Sequence, residues 1–254
     1  MRWLILSDIH ANWEALEAVT AAMEGSYDAC LCLGDVVGYG ADPNPCVAWV
    51  AAHCQVTVRG NHDIACSHPD GALGFNPLAA YAAHWTAARL TPEARAWLLA
   101  LPAGPLPAGD FQLVHGSPLD EDQYLVHDTT AQTVFSASSW PLVFFGHTHL
   151  QGGFASLPDR AQPLLPEPSA PAGPNARLEL VHVTAVEPDA RLLVNPGSVG
   201  QPRDGDWRAA CALYDQQLRR IEFHRVPYDL RTAQRKMLAG GLPPPLALRL
   251  AEGR

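Results

Sequence analysis

Five short polar clusters in the first 150 residues contain the side chains best suited to chemistry. The clusters are Asp8-Ile9-His10, Gly34-Asp35, Gly60-Asn61-His62-Asp63, His115-Gly116 and Gly146-His147-Thr148-His149. Carboxylate, imidazole and amide oxygen are ligands that divalent ions such as Mn, Fe, Co, Ni and Zn accept in proteins. None of the clusters contains a cysteine, which argues against a structural zinc site. The clusters therefore favour metal-assisted chemistry, provided that the fold brings them together.

Each cluster directly follows a predicted strand. Short apolar runs predict strands at 2–7, 28–33, 55–58, 111–114 and 142–145. Helical patterns predict helices at 12–24, 44–53, 77–89, 92–101 and 128–137. This β-α-β alternation is typical of a mainly parallel sheet that is covered on both faces. Because the carboxyl ends of parallel strands lie along one edge of a sheet, where ligands bind, the five clusters are expected to converge on one crevice.

The spacing within the clusters adds a second expectation. Side chains two residues apart point the same way in an extended segment, so Asp8 and His10 should face one side together, and His147 and His149 likewise. Taken singly, the clusters are weak signals, since D-x-H can be a strand-end hydrogen bond, G-D a common turn and GHTH a turn without metal. GNHD is stronger, because nothing in it requires its histidine to cap a helix. Five such fragments at five strand ends favour the functional interpretation.

The second half of the chain has a different pattern. Residues 158–176 contain six prolines and are predicted to form a surface loop, suited to a rim over the site or to a subunit contact. Strands joined by short turns are predicted at 177–186, 190–194, 209–215 and 218–226. They are expected to be antiparallel and to form a second sheet packed on the first, before a final helix at 229–239 and a Pro-rich tail. We expect residues 1–254 to form a single domain.

The ordered fragments D-x-H, G-D, G-N-H-D, a lone H and G-H-x-H resemble the signature of the calcineurin-like metallophosphoesterase superfamily. All five blocks are present between residues 8 and 149. Two further stretches, GDVVGYGADPNPCV at 34–47 and NPGSVGQPRDGD at 195–206, resemble its small bacterial branch. The resemblance implies an α/β fold, a four-layer α/β/β/α sandwich, which agrees with the strand-rich second half.

The resemblance also implies two divalent metal ions, with Mn as the first choice and Fe, Zn, Co or Ni as alternatives. The ligands of the first ion would be Asp8, His10, Asp35 and His149. The ligands of the second ion would be Asp35, Asn61, His115 and His147, so that Asp35 bridges the two. Two ions about 3.5–4 Å apart can hold a bridging hydroxide and clamp the oxygens of a phosphoryl group. His62 is implied to donate a proton to the leaving group, with Asp63 orienting its ring.

The implied reaction is hydrolysis of a small phosphoester or nucleotide by metal-bound hydroxide. Phosphodiesters, including 2′,3′-cyclic nucleotides, are favoured, because the chain has no long insertion to dock a peptide and few motif-adjacent arginines to clamp a polyphosphate. The alternatives are a dinucleoside-polyphosphate hydrolase, a serine/threonine protein phosphatase, and a metal-binding scaffold of the same fold that is not an enzyme.

Composition sets limits on partners and location. A formal charge of −9 argues against avid non-specific nucleic-acid binding and against a nuclease acting on long DNA. No apolar run reaches the ~18 residues of a membrane span, and the N-terminus lacks the apolar core of a signal peptide, so we expect a cytoplasmic protein without a membrane partner. The six cysteines show no disulfide spacing and are interpreted as reduced thiols. The sequence leaves the oligomeric state open.

Several residues near the clusters are weaker candidates. Arg59 and Arg203 are candidates for contact with phosphate, although a strand-end salt bridge explains Arg59 equally well. Asn12 is interpreted as a helix cap, and Tyr39 and His68 as residues that shape the pocket. The remaining histidines are interpreted as surface or satisfied core residues, namely His53, His84, His127, His182 and His224.

Overall fold

The computed structural model of the chain describes residues 1–164 and 178–254. Its strands are β1 (Arg2–Leu6), β2 (Ala29–Cys32), β3 (Cys54–Thr57), β4 (Leu106–Ala108), β5 (Phe111–Leu113), β6 (Leu142–Phe144), β7 (Gly152–Ser156), β8 (Ala161–Leu164), β9 (Glu179–Ala185), β10 (Leu192–Asn195), β11 (Ala209–Asp215) and β12 (Arg220–Val226). Its α-helices are α1 (Trp13–Ala22), α2 (Pro43–His53), α3 (Asn61–Ser67), α4 (Pro77–Ala87), α5 (Pro92–Ala100), α6 (Asp128–Ala137), α7 (Leu230–Ala239) and α8 (Pro244–Leu248), followed by a 3₁₀ turn at Arg249–Glu252.

The strands form two six-stranded sheets. The first has the order β3-β2-β1-β11-β12-β9, in which β1 to β3 are parallel and β11 runs antiparallel to β1. The second has the order β4-β5-β6-β10-β7-β8, in which β5, β6 and β10 are parallel. Each sheet therefore contains three adjacent parallel strands that end at the same edge.

The apolar side chains alternate along β1 and so divide the core into layers. Ile5 faces the second sheet, where it packs in one cluster with Phe144 and Tyr214. Leu4 and Leu6 face the opposite way, toward the helices. Helix α6 covers the outer face of the second sheet through a third cluster. These layers confirm the predicted α/β/β/α sandwich.

Local sequence signals account for several helix starts. Asn12 caps α1 by accepting a hydrogen bond from the Ala15 N–H, and Thr91 caps α5 in the same way before Pro92. None of the helices in the described part of the chain has the length and apolar character needed to cross a membrane.

The predicted division of the strands into an N-terminal and a C-terminal sheet is wrong. Each sheet takes strands from both halves, since β11 extends the first sheet beside β1 and β10 inserts beside β6. Local sequence patterns do not encode such strand pairings, because the pairings depend on how the two sheets stack.

The predicted loop at 158–176 is wrong at Ala161–Leu164, which form β8. Among the described strands this one lies at the edge of the second sheet, a position that tolerates the missing N–H of Pro163. The remainder of that predicted loop, from residue 165 to 176, lies outside the described residues. The structure also adds β4, β7, α3 and α8, which the sequence did not predict and which have at most seven residues each.

Candidate metal centre

The five polar clusters lie together at the shared edge where the parallel strands of the two sheets end. Loops of the first sheet are tied to one another by backbone hydrogen bonds, from the Asp8 N–H to the Gly34 carbonyl (3.0 Å) and from the His10 N–H to the Asp35 carbonyl (2.9 Å). The Asp8 carboxylate accepts from the His147 N–H at 3.2 Å, which joins the two sheets. The predicted convergence on one crevice is therefore confirmed.

Asp8 and His10, and likewise His147 and His149, were expected to point the same way because they lie in extended segments, and this reason is wrong. Asp8, His10, His147 and His149 have φ values of 52°, 49°, 66° and 60°, so none of them is in an extended segment. Asp35 also lies in this left-handed region, with φ 53°. Non-glycine residues occupy this region at a cost, and they concentrate at functional sites. The side chains converge because the backbone turns sharply at each of them.

The acidic and imidazole groups fall into two sets. The ligand atoms within each set lie within 4.8 Å of one another and are buried. The first set comprises Asp8, His10, Asp35 and His149. The second comprises Asp35, His115 and His147, and the Asn61 amide oxygen lies 3.2 Å from the His115 Nε2. The structure thus brings together all seven side chains proposed as ligands, with Asp35 common to both sets.

Two histidines of the first set present nitrogen lone pairs to each other. The Nδ1 atoms of His10 and His149 lie 3.1 and 2.6 Å from the carbonyl oxygens of Val37 and Gln201. Because a carbonyl oxygen only accepts, both Nδ1 atoms carry the hydrogen, and both Nε2 atoms are bare in the neutral rings. Burial lowers the pKa of both imidazoles well below the usual value, which keeps them neutral. The Nε2 atoms nevertheless lie 3.1 Å apart, an arrangement that a shared cation relieves.

The second set contains one histidine that holds an extra proton. Nδ1 of His115 donates to the Leu33 carbonyl, and Nε2 of His147 donates to the Asp122 carbonyl. Burial alone lowers the pKa of His115, but the charge of Asp35 and a hydrogen bond to it raise that pKa to about 10. Burial lowers the pKa of His147 to about 3. The Nε2 of His115 lies 3.1 Å from the Nδ1 of His147 and 3.5 Å from the Asp35 carboxylate, so these three groups share one polar contact point.

The two carboxyls of the first set have opposite pKa shifts. Burial raises the pKa of Asp8 to about 7, with Asp35 adding to the shift and His115 opposing it. Burial also acts to raise the pKa of Asp35, but His115, His62 and His10 outweigh it and hold that pKa well below the usual value. Asp35 therefore carries the negative charge that both sets share.

His62 lies beside the ligands without belonging to either set. Its ring packs against His10, Tyr39 and Phe75, with centroids 4.9, 4.4 and 4.8 Å away. Its Nδ1 is buried without a hydrogen-bond partner against Gly38, which leaves Nε2 as the nitrogen that faces the pocket. Burial lowers its pKa to about 4 although Asp35 opposes the shift, so the resting ring is neutral.

The expectation that Asp63 orients the His62 ring is wrong. The Asp63 carboxylate accepts instead from four backbone N–H groups, those of residues 35, 36, 37 and 60, at 2.8–3.3 Å. It occupies the third position of α3, with Gly60 as N-cap, so the GNHD block does begin a helix. Asp63 therefore positions the loop that carries Asp35.

One pocket of about 470 Å³ opens directly on the centre. It contains three of the predicted site residues, Asn61, His62 and His147. One side of the pocket is apolar or aromatic, with Ile64, Leu73, Phe75, Ala79, Tyr39 and Tyr124, and the other is polar, with Arg59, Asn76, Glu121 and Asp122. A concave site of this volume, with apolar walls on one side and converging polar groups on the other, suits a small molecule.

The weaker candidates from the sequence analysis have different roles in the structure. Arg59 forms the salt bridge considered for it, with two hydrogen bonds of 2.9 and 2.7 Å to Glu121. Asn12 is a helix cap, as predicted, and it also donates to the Gly200 carbonyl. Tyr39 lines the pocket, whereas His68 is exposed and does not.

Of the remaining histidines, His53, His84 and His127 are exposed, His182 is partly exposed, and His224 is buried beside Glu222. None of them belongs to either set. All six cysteines are free thiols, as predicted, and the Sγ atoms of Cys30 and Cys54 lie 3.4 Å apart.

Three residues near the centre escaped the sequence analysis. Phe75 and Tyr124 lie in segments with no motif, and Tyr124 packs on the His147 ring at 4.0 Å. Arg249, in the C-terminal 3₁₀ turn, lies 4.5 Å from the Tyr39 ring. No local pattern distinguishes it from a surface arginine, so only the long-range packing of the C-terminus reveals it.

Two stacked sheets flanked by helices, with aspartate and histidine gathered at the strand ends, define the metallophosphoesterase class. The model of the calcineurin-like phosphoesterase superfamily domain matches residues 1–217, and the chain belongs to this superfamily. The resemblance predicted from the five motifs is thereby confirmed.

Relatives match over the whole chain. The metallophosphoesterase from Sphaerobacter thermophilus is 38% identical with a TM-score of 0.85, and the match covers 100% of this chain and 99% of that one. The uncharacterized protein MJ0912 of Methanocaldococcus jannaschii is 33% identical, over 98% of this chain and 97% of its own length. The hypothetical protein PH1004 of Pyrococcus horikoshii OT3 shares the fold, with 18% identity, a TM-score of 0.76, and coverage of 100% of this chain and 98% of its own.

Proposed function

We propose that the chain is a binuclear metal-dependent hydrolase of small phosphodiesters. The observation that carries the proposal is the pair of bare Nε2 atoms of His10 and His149, which lie 3.1 Å apart beside the carboxylate of Asp35. Two neutral imidazoles fixed in this orientation by backbone carbonyls have no donor for their lone pairs among the described residues, and a cation would satisfy both. Asp35 then connects this position to the second set.

The donor set suits two divalent ions. The first ion would be held by Asp8, His10, Asp35 and His149, and the second by Asp35, Asn61, His115 and His147. Mixed oxygen and nitrogen ligands fit Mn best in our proposal, with Fe, Zn, Co and Ni also compatible. Paired ions supply an activated water for attack and neutralise charge on the phosphoryl oxygens.

His62 would protonate the leaving group. Its Nε2 faces the pocket, and its ring is held on three sides by His10, Tyr39 and Phe75. Since burial makes the resting ring neutral, His62 would take up its proton only when an anionic substrate lies beside it, as its response to the charge of Asp35 indicates. The pocket of about 470 Å³ would receive the departing alcohol.

The pocket supports a small organic leaving group. The side chains of Ile64, Leu73 and Phe75 offer apolar contacts for an aryl group or a nucleobase, and the polar side of the same pocket can bind the substituents of that group. The net charge of −9 also disfavours long nucleic acid. Within this proposal the alternatives remain a dinucleoside-polyphosphate hydrolase, a protein phosphatase and a non-enzymatic metal scaffold.

A metal-by-substrate matrix tests the proposal. Protein stripped with a chelator is reconstituted separately with Mn, Fe, Co, Ni or Zn, then assayed on bis-p-nitrophenyl phosphate and on p-nitrophenyl phosphate. We expect two ions per chain and faster turnover of the diester. A strong preference for the monoester contradicts the diester assignment. Two bound ions without turnover of any phosphoester support the scaffold instead.

A further inference from the structure

Two arginine side chains meet at one amide oxygen beside the centre. The Gln201 Oε1 accepts a hydrogen bond from Arg203 at 3.0 Å and from Arg249 at 2.6 Å. Both guanidinium groups also lie over the Tyr39 ring. The Arg203 group is 5.9 Å and the Arg249 group 4.5 Å from the ring centroid. Segments more than 40 residues apart in sequence thus place two positive charges together.

These two charges have no carboxylate partner in the part of the chain that the structure describes. By contrast, Arg59, Arg208 and Arg225 each form an ion pair in this acidic protein. The Nε atoms of Arg203 and Arg249 are buried without a hydrogen-bond partner. Burial and, after it, the charge of Arg203 lower the pKa of Arg249, while Tyr39 acts in the opposite direction.

The pair is connected to the metal centre but lies outside the pocket. The backbone of Gln201 accepts from the His149 ring, and the Arg203 N–H donates to the His149 carbonyl at 3.2 Å. Both guanidinium charges act on His62. Neither arginine lines the pocket, whereas Tyr39, which both contact, does. An anion bound by the pair is therefore separated from the leaving group by Tyr39.

We propose that Arg203 and Arg249 bind a second phosphate group, carried by the half of the substrate that is retained when the leaving group departs into the pocket. Guanidinium groups bind phosphate through paired, charge-assisted hydrogen bonds, and the terminal nitrogens that Gln201 does not engage supply the donors. The inference rests on the proposed function and narrows it to diesters whose retained alcohol carries a further phosphate. It also replaces the expectation that the chain lacks an arginine clamp, since Arg249 could not be recognised from the sequence.

A matched pair of substrates tests the assignment in the metal-loaded protein. Thymidine 5′-(p-nitrophenyl phosphate) and its 3′-phosphorylated form release the same p-nitrophenol and differ only in the second phosphate. We expect the 3′-phosphate to raise kcat/KM about tenfold, as charged hydrogen bonds do. In Arg203→Gln and in Arg249→Gln, the kcat/KM of the 3′-phosphorylated ester should differ by less than about threefold from that of the unphosphorylated ester. Arg231→Gln, at an exposed position of α7, should keep the wild-type ratio.

Calorimetric titration provides a readout that does not need turnover. Propylphosphonate and propylene-1,3-diphosphonate resist hydrolysis and present one or two phosphonate groups. Wild-type protein should bind the second about tenfold more tightly, and both arginine variants should lose that gain. Each ratio is taken within one preparation, so partial misfolding cancels. If neither ester is hydrolysed, the proposed function fails while the titration still decides the inference. Equal affinities in wild type, or ratios unchanged in both variants, overturn the second phosphate site.

Discussion

At the scale of single residues, backbone carbonyls accept a hydrogen bond from one ring nitrogen of each histidine and so fix which nitrogen faces the centre. Val37 and Gln201 bind the Nδ1 atoms of His10 and His149, so that the Nε2 atoms point inward. Such contacts fix both ring orientation and tautomer, and they raise the basicity of a ligand. The chain can therefore present bare nitrogen atoms at neutral pH before any ion arrives.

His62 and Asp35 should respond differently to substitution. We predict that His62→Ala lowers turnover about 10²–10⁴-fold while metal content stays near normal, because His62 belongs to neither ligand set. Asp35→Asn should lose both turnover and bound metal, because it removes the charge common to both sets. Elemental analysis and steady-state kinetics measure the two effects, with His84→Ala on the exposed face of α4 as the control. Near-wild-type turnover in His62→Ala would show that it is not the proton donor.

Metal affinity should increase with pH. His115, whose pKa is raised to about 10, must lose one proton before its Nε2 can bind an ion. We therefore expect Mn to bind about tenfold more tightly per pH unit between pH 7 and 8.5. Below pH 7 the dependence should steepen, because Asp8, with a pKa of about 7, adds a second proton. Competition with a fluorescent chelator measures the affinity. An affinity independent of pH contradicts the protonation assigned to His115.

At the scale of the elements, the site depends on turns that local sequence patterns do not reveal. Five of the seven proposed ligands have positive φ, and two carbonyls that orient histidines lie in the same turns or in the 195–206 segment. Asp63 ties the start of α3 to the loop after β2 through four backbone hydrogen bonds. The turns at this edge of the two sheets are therefore held in place by hydrogen bonds to one another.

Gly38 shows how closely these turns fit. It has φ +91°, and a Cβ atom there would lie 2.6 Å from the His62 Nδ1. We predict that Gly38→Ala displaces the His62 ring and lowers kcat at least tenfold. Gly25→Ala is the matched control, since Gly25 has φ +74° but no neighbour within 4 Å and so incurs only the backbone cost of about 1 kcal/mol. Equal kcat in the two variants argues against close packing at His62.

The sequence predicts the polar clusters and most of the longer helices and strands, because motif spacing and hydrophobic periodicity are local properties. It does not predict that β11 pairs with β1, that β10 inserts beside β6, or that Arg249 reaches Tyr39. It also gives the wrong reason for the direction of His10 and His149, whose backbone is turned rather than extended. These features depend on long-range packing and on backbone carbonyls. Since every residue has a carbonyl, the sequence does not show which of them will contact a histidine.

At the scale of the whole molecule, the centre joins the two sheets. Asp8 and Asp35 follow strands of the first sheet, whereas His115 and His147 follow strands of the second. An ion held by residues of both sheets stabilises their packing, since it binds the folded chain and not the unfolded one.

Removal of metal should therefore lower the stability of the whole fold. An ion present at 100 times its Kd contributes about 2.7 kcal/mol, which corresponds to roughly 5–10 °C in Tm for a chain of this size. Scanning calorimetry with Mn and with a chelator measures the difference. Asp35→Asn, which should not bind metal, is the control and should show little change. An identical Tm for metal-loaded and metal-free wild type contradicts a structural contribution from the ions.

The contact between Gln201 and His149 has a consequence for the order of events during synthesis. The last proposed ligand is residue 149, but its tautomer depends on a carbonyl 52 residues further along the chain. A nascent chain that has exposed all seven ligands still lacks the group that turns His149 toward the others. If the centre binds metal as proposed, we expect the complete site to form only after the 195–206 segment has emerged and docked, so that full occupancy would mark the docking of the C-terminal third.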